Sequence, residues 1–139
     1  MSTPLDHARH NKKACEHLYS ANEYPDWVVT TAFYCAMHYA HAIIFPYTEL
    51  GDTYKNLEEY FNKYKRTGDT KHSVTLDLIQ KLHFPISEKY KQLKDTAHTA
   101  RYHDYELPSP VVGKMRKNLR VIEEYCEQKY KTKTGEKKV

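Results

Sequence analysis

Apolar residues recur three and four positions apart through most of the chain, which is the spacing of one helix face. Leu5, Ala8, Cys15 and Leu18 predict a first helix, which Ser2 or Thr3 can cap with Pro4 in the first turn. Pro25 opens a second helix, Asp26 suits the positive end of its dipole, and Pro46 closes it. Leu57, Tyr60, Phe61 and Tyr64 predict a third, starting at Gly51 and Asp52. After a turn from Arg66 to Ser73, a short helix runs from about Ser73 to His83 and carries Val74, Leu78, Ile79 and Leu82. Phe84 and Pro85 begin the next, striped with Ile86, Tyr90, Leu93, Ala97 and Ala100. Pro108 and Pro110 break it, and Ser109 can cap a last helix bearing Val112, Met115, Leu119, Ile122 and Cys126.

This pattern predicts an all-α bundle, with two long central helices and shorter flanking ones. No internal repeat or second hydrophobic pattern divides it, so residues 1–130 read as one domain. Its second helix is unusual. One stripe is Val28, Ala32, Cys35, Tyr39 and Ala42; another is Trp27, Tyr34, His38, His41 and Phe45; a third is Phe33, Met37, Ala40 and Ile44. Three apolar stripes around one helix imply burial on nearly every side. A bundle of this size seldom encloses a helix so fully, and one stripe is expected to belong to a homodimer interface.

Composition supports the helical reading. Of 139 residues, only four are glycine and 13 are tyrosine, whose rings bury while their hydroxyls stay near water. The net charge of +4 resembles a nucleic-acid footprint until it is located. The segment from Lys129 carries five lysines and one glutamate, which accounts for the whole excess and leaves the body neutral. Residues 131–139 therefore read as a basic, disordered tail. Cys15, Cys35 and Cys126 form no CxxC pair, the start of the chain lacks a signal-peptide pattern, and reduced cysteines in a cytoplasmic protein are expected. The apolar run of the second helix is too short and too rich in tyrosine and histidine for a membrane span.

Asn11, Ala14 and Leu18, followed by "DWVVTTAFYCAMHYAHA", resemble the HEPN superfamily of small α-helical proteins. Many members carry an aromatic–tyrosine pair followed by alanine and histidine on a central helix, represented here by Phe33, Tyr34, Ala36, Met37 and His38. The later "TAHTARYHDYEL" is similar to the arginine–tyrosine segment that closes a downstream helix in those proteins. The resemblance spans about residues 5–125. It implies a HEPN-like bundle, usually dimeric, that often acts as a metal-independent endoribonuclease or RNA-binding toxin or defence component. A nucleotidyltransferase is a frequent protein partner, and no cofactor is implied. Active members place a histidine a few residues after an arginine, the histidine acting on a ribose 2′-hydroxyl while the arginine stabilises phosphate charge. In this chain Glu106, Leu107 and Pro108 stand where a histidine after Arg101 would fall, and the formal spacing is met by Arg66 and His72.

The candidate catalytic groups are accordingly Arg101 with His98 and His103, which would supply an anion clamp, a base and an acid. The resemblance adds Tyr34, His38 and Tyr102 as binding residues. A bland reading stands beside this one: histidines near a helix C-terminus are favoured by its dipole, and one on an aromatic stripe is commonly a hydrogen-bonded core residue. Two alternatives follow, a non-catalytic dimeric interaction or ligand-binding module and a helical-bundle metal protein. His7 with His10 and His38 with His41 give paired histidines for the latter, but no carboxylate joins them at ligand spacing, so no metal ligand is assigned.

Overall fold

The computed structural model describes residues 2–134, and they form an all-α bundle with one small hairpin. Helix α1 spans Pro4–Ala21 and α2 spans Pro25–Ile44. Strands β1 (Tyr47–Glu49) and β2 (Asp52–Tyr54) then precede α3 (Leu57–Tyr64), α4 (Lys71–Leu82), a 3₁₀ turn at Phe84–Ile86, α5 (Ser87–Tyr102) and α6 (Ser109–Thr134). Local chemistry sets several of these starts. Thr3 and Asp6 cap α1 reciprocally, with Thr3 N–H to Asp6 Oδ2 at 3.0 Å and Asp6 N–H to Thr3 Oγ1 at 3.1 Å. Thr70 and Ser73 cap α4 in the same way. Each such cap contributes about 1 kcal/mol.

Helix α2 forms the axis, packed by α1 along one side and by α6, α5 and α4 along the others. Phe33, Cys35, Ala36 and Tyr39 are fully buried on it, and Tyr90 and Leu93 of α5 and Ile122 and Cys126 of α6 meet them in the core. Truncating Phe33 to alanine would cost about 3–5 kcal/mol. Buried polar groups tie the layers together. Tyr39 donates its hydroxyl to Glu127 Oε2 at 2.8 Å, and Arg9 donates two hydrogen bonds to the same carboxylate. Asn118, buried on α6, donates to Gln92 of α5.

The third helix starts at Leu57, not at Gly51, because residues 47–54 pair as a hairpin. Tyr47 faces Tyr54, Thr48 faces Thr53 and Glu49 faces Asp52. Leu50 and Gly51 both have positive φ, 53° and 86°, as the two-residue turn between right-twisted strands requires. Asn56 then caps α3 by accepting from Glu59 N–H at 3.0 Å.

The stripe from Trp27 to Phe45 is covered in part by the chain itself. His7 of α1, His72 of α4 and Arg101 of α5 lie over His38, Phe33 and Tyr34, while Trp27 remains half exposed. At the other end of the chain, α6 continues past Tyr130 to Thr134, four residues into the segment expected to be disordered. The Lys133 ammonium donates to the carbonyls of Ala42 and Phe45, at the negative end of the α2 dipole. Residues 135–139 lie outside the described residues. Among the described residues no helix is long and apolar enough to cross a membrane.

Candidate functional site

Ala97 and Ala100 take the buried face of α5, which turns His98 and Arg101 to its side. Arg101 sits in the last helical turn and lies above two tyrosine rings, its guanidinium carbon 5.6 Å from the Tyr34 centroid and 5.4 Å from that of Tyr102. Attraction between the cation and both ring faces holds the guanidinium in place. Its Nη1 is buried and meets no hydrogen-bond acceptor, and no carboxylate forms an ion pair with it among the described residues.

Arg101 and Tyr102 line a cleft of about 580 Å³ with Trp27, Thr30, His103 and Tyr105, and Asp26 and Asp104 add negative charge at its wall. His98 and His103 stand beside each other with ring centroids 5.5 Å apart, and His98 also packs on Tyr102 at 4.9 Å. Both histidines are exposed. The structure thus brings His98, Arg101, Tyr102 and His103 together at one helix end and adds Tyr34 from α2.

His38 takes a different place. It stacks on His7 with centroids 5.0 Å apart and meets His41 edge-on at 6.2 Å. Burial, then the neighbouring His7, lowers its pKa. One helical turn on, His41 Nε2 shares a 3.1 Å hydrogen bond with the fully buried Thr75 hydroxyl. Burial, followed by the proximity of His38 and His72, brings the His41 pKa down to about 4, so its imidazole is neutral at pH 7. His7, His38 and His41 form a row of rings, but among the described residues no group of three or more potential ligands is placed to hold a metal ion.

The histidine that joins Arg101 from afar in sequence is His72. It packs edge-on against Phe33 at 5.1 Å and lies tilted to Tyr34 at 6.3 Å, the ring that also supports Arg101. Burial lowers its pKa first, with Arg101 and then Lys94 adding to the effect, and its buried Nδ1 meets no partner. Arg66, its formal partner by spacing, instead pairs with Asp69 on the surface at 3.8 Å. Counting residues downstream from an arginine could not find the juxtaposition of Arg101 and His72, which Tyr34 creates across three helices.

The cysteines add no reactive group. All three are buried, Cys15 and Cys35 donate to the carbonyls of Val28 and Ala8, and burial raises the pKa of each thiol.

No family model, curated protein or solved structure matches this chain.

Proposed function

We propose that the protein is a HEPN-like dimeric module that binds RNA at the Arg101 cleft and cleaves it without a metal ion. Arg101 carries the reading: a guanidinium held by two tyrosine rings, with a buried N–H that has no acceptor within the protein. Its planar array of donors suits a phosphate, and Arg101 lines the cleft through which one would approach. His103, which lines the cleft, and His98 beside it supply the acid and base. His72, kept neutral, is a third imidazole within electrostatic reach of Arg101. The HEPN-like sequence segments around Tyr34 and Arg101 support RNA as the polyanion, and the exposed Tyr102 and Tyr105 at the cleft offer ring faces on which bases stack. Incubating the protein with mixed single-stranded RNA in EDTA tests this. Cleavage should occur, bend with pH near the histidine range and disappear in Arg101→Ala. Intact RNA at all pH values contradicts the catalytic part.

A non-catalytic interaction module is the second reading, favoured by the exposed aromatic rings around the same cleft. Trp27 is 52% exposed, and Tyr102 and Tyr105 are each 67% exposed. Such rings are frequent anchors of protein interfaces. Under this reading Arg101→Ala leaves RNA untouched and weakens the dimer or a complex with a protein such as a nucleotidyltransferase, as sedimentation would show.

A further inference from the structure

A second and larger cleft, of about 760 Å³, opens where the C-terminal half of α2 faces the starts of three other helices. Its floor is apolar: Leu5, Met37, Ala42, Phe45 and Leu57 line it. Its rim is cationic. Lys55 and Lys71 stand at the mouth; Lys71 is paired with Glu58 at 2.6 Å, while no ion pair engages the Lys55 ammonium among the described residues. Lys133 also lines the cleft, but its ammonium is committed to the carbonyls that end α2.

Helix geometry reinforces the charge. Thr3 to Leu5, Asn56 to Glu58, and Lys71 with His72 are the first turns of α1, α3 and α4, and all of them line this cleft. The positive ends of three helix dipoles therefore meet at one rim. Opposite them lies a floor that, among the described residues, holds no charged group at pH 7, since the His41 imidazole is neutral there. The volume falls in the range that encloses a small organic molecule.

We propose that this cleft binds a small anionic amphiphile: an apolar chain or ring seated on Met37, Ala42 and Phe45, with one phosphate or carboxylate head at Lys55 and the converging helix starts. An apolar body explains the floor, and a single anionic head explains a rim where, among the described residues, the one acidic group, Glu58, is already neutralised by Lys71. A free inorganic anion would leave the floor uncovered, and a neutral hydrocarbon would leave the Lys55 charge unanswered. The cleft shares no lining residue with the Arg101 cleft and uses neither Arg101 nor the histidines at the end of α5, although His72 at its rim also lies beside Tyr34.

Calorimetric titration with n-hexyl phosphate tests the proposal, with inorganic phosphate and n-hexanol as the two half-ligands. One molecule per chain is expected to bind saturably, and each half-ligand should bind at least about tenfold more weakly. Lys55→Ala, an exposed change, should weaken hexyl phosphate about fivefold, the scale of one surface charge contact. Met37→Trp, which fills the floor, should abolish binding while circular dichroism shows the helical fold intact. Absence of saturable binding overturns the proposal. So does unchanged affinity in folded Met37→Trp, and hexanol binding as tightly as hexyl phosphate overturns the anionic head.

Discussion

The Arg101 guanidinium carbon lies 5.6 Å above the centre of the Tyr34 ring, joining the end of α5 to the middle of α2. The same tyrosine lies beside His72, so one ring on the central helix collects an arginine and a histidine from two other helices. Tyr34 is partly buried, which fixes the ring from below and leaves the arginine at the edge of a cleft. An arginine pre-positioned in this way loses less side-chain entropy when it takes an anion.

Glu127 links stability to pH. Burial pulls its carboxyl upward, but hydrogen bonds from Arg9 and Tyr39 outweigh this and hold it below its ordinary value of 4.5. A depressed carboxyl pKa contributes stability that is complete above the unfolded value and is lost as pH falls through the folded one. Urea unfolding of the wild type and of Glu127→Gln should therefore show a gap at pH 7 that narrows steadily below about pH 4.5. Tyr39→Phe, which removes one hydrogen bond to the same carboxylate, should cost about 1 kcal/mol at pH 7.

Tyr90 presents the opposite case. Its side chain is 1% exposed and its hydroxyl meets no hydrogen-bond partner. Burial pushes its pKa well above the usual tyrosine range. Removing an unsatisfied buried hydroxyl should restore what its desolvation costs, so Tyr90→Phe is expected to raise stability by up to about 1 kcal/mol. Thermal unfolding checks the sign: a lower melting temperature than the wild type contradicts it.

Lys133 anchors the end of α6 to the end of α2. Lys133→Ala should destabilise the fold by about 1 kcal/mol through loss of a cation at two helix-terminal carbonyls. Equal melting temperatures for Lys133→Ala and the wild type would show that the contact adds nothing.

The helices were legible because their signals are local. Pro4, Pro25 and Pro110 mark starts, and the three-and-four recurrence of apolar residues persists wherever a helix forms. The hairpin was not, since its strands are three residues each and its turn places Leu50 where asparagine or aspartate would have announced it. Tyr47 and Tyr54 flank near-mirrored threonines, the one local sign that two short strands face each other. The end of α6 was also hidden, because the feature that docks it is a single lysine reaching carbonyls about ninety residues earlier in the chain. For the site, Arg101 and Tyr102 were legible from their segment. The meeting of Arg101, Tyr34 and His72 depends on how α2, α4 and α5 pack, and no spacing within one segment encodes it.

The central claim is that Arg101 binds an RNA phosphate, and equilibrium binding of a labelled single-stranded RNA across a salt series measures it most directly. Wild-type protein should bind with an affinity that falls as salt rises. Arg101→Ala should bind at least about tenfold more weakly, with a log-affinity against log-salt slope shallower by about 0.7, the single-strand value for one lost phosphate contact. A folded Arg101→Ala protein with the wild-type affinity and the wild-type slope would contradict the account.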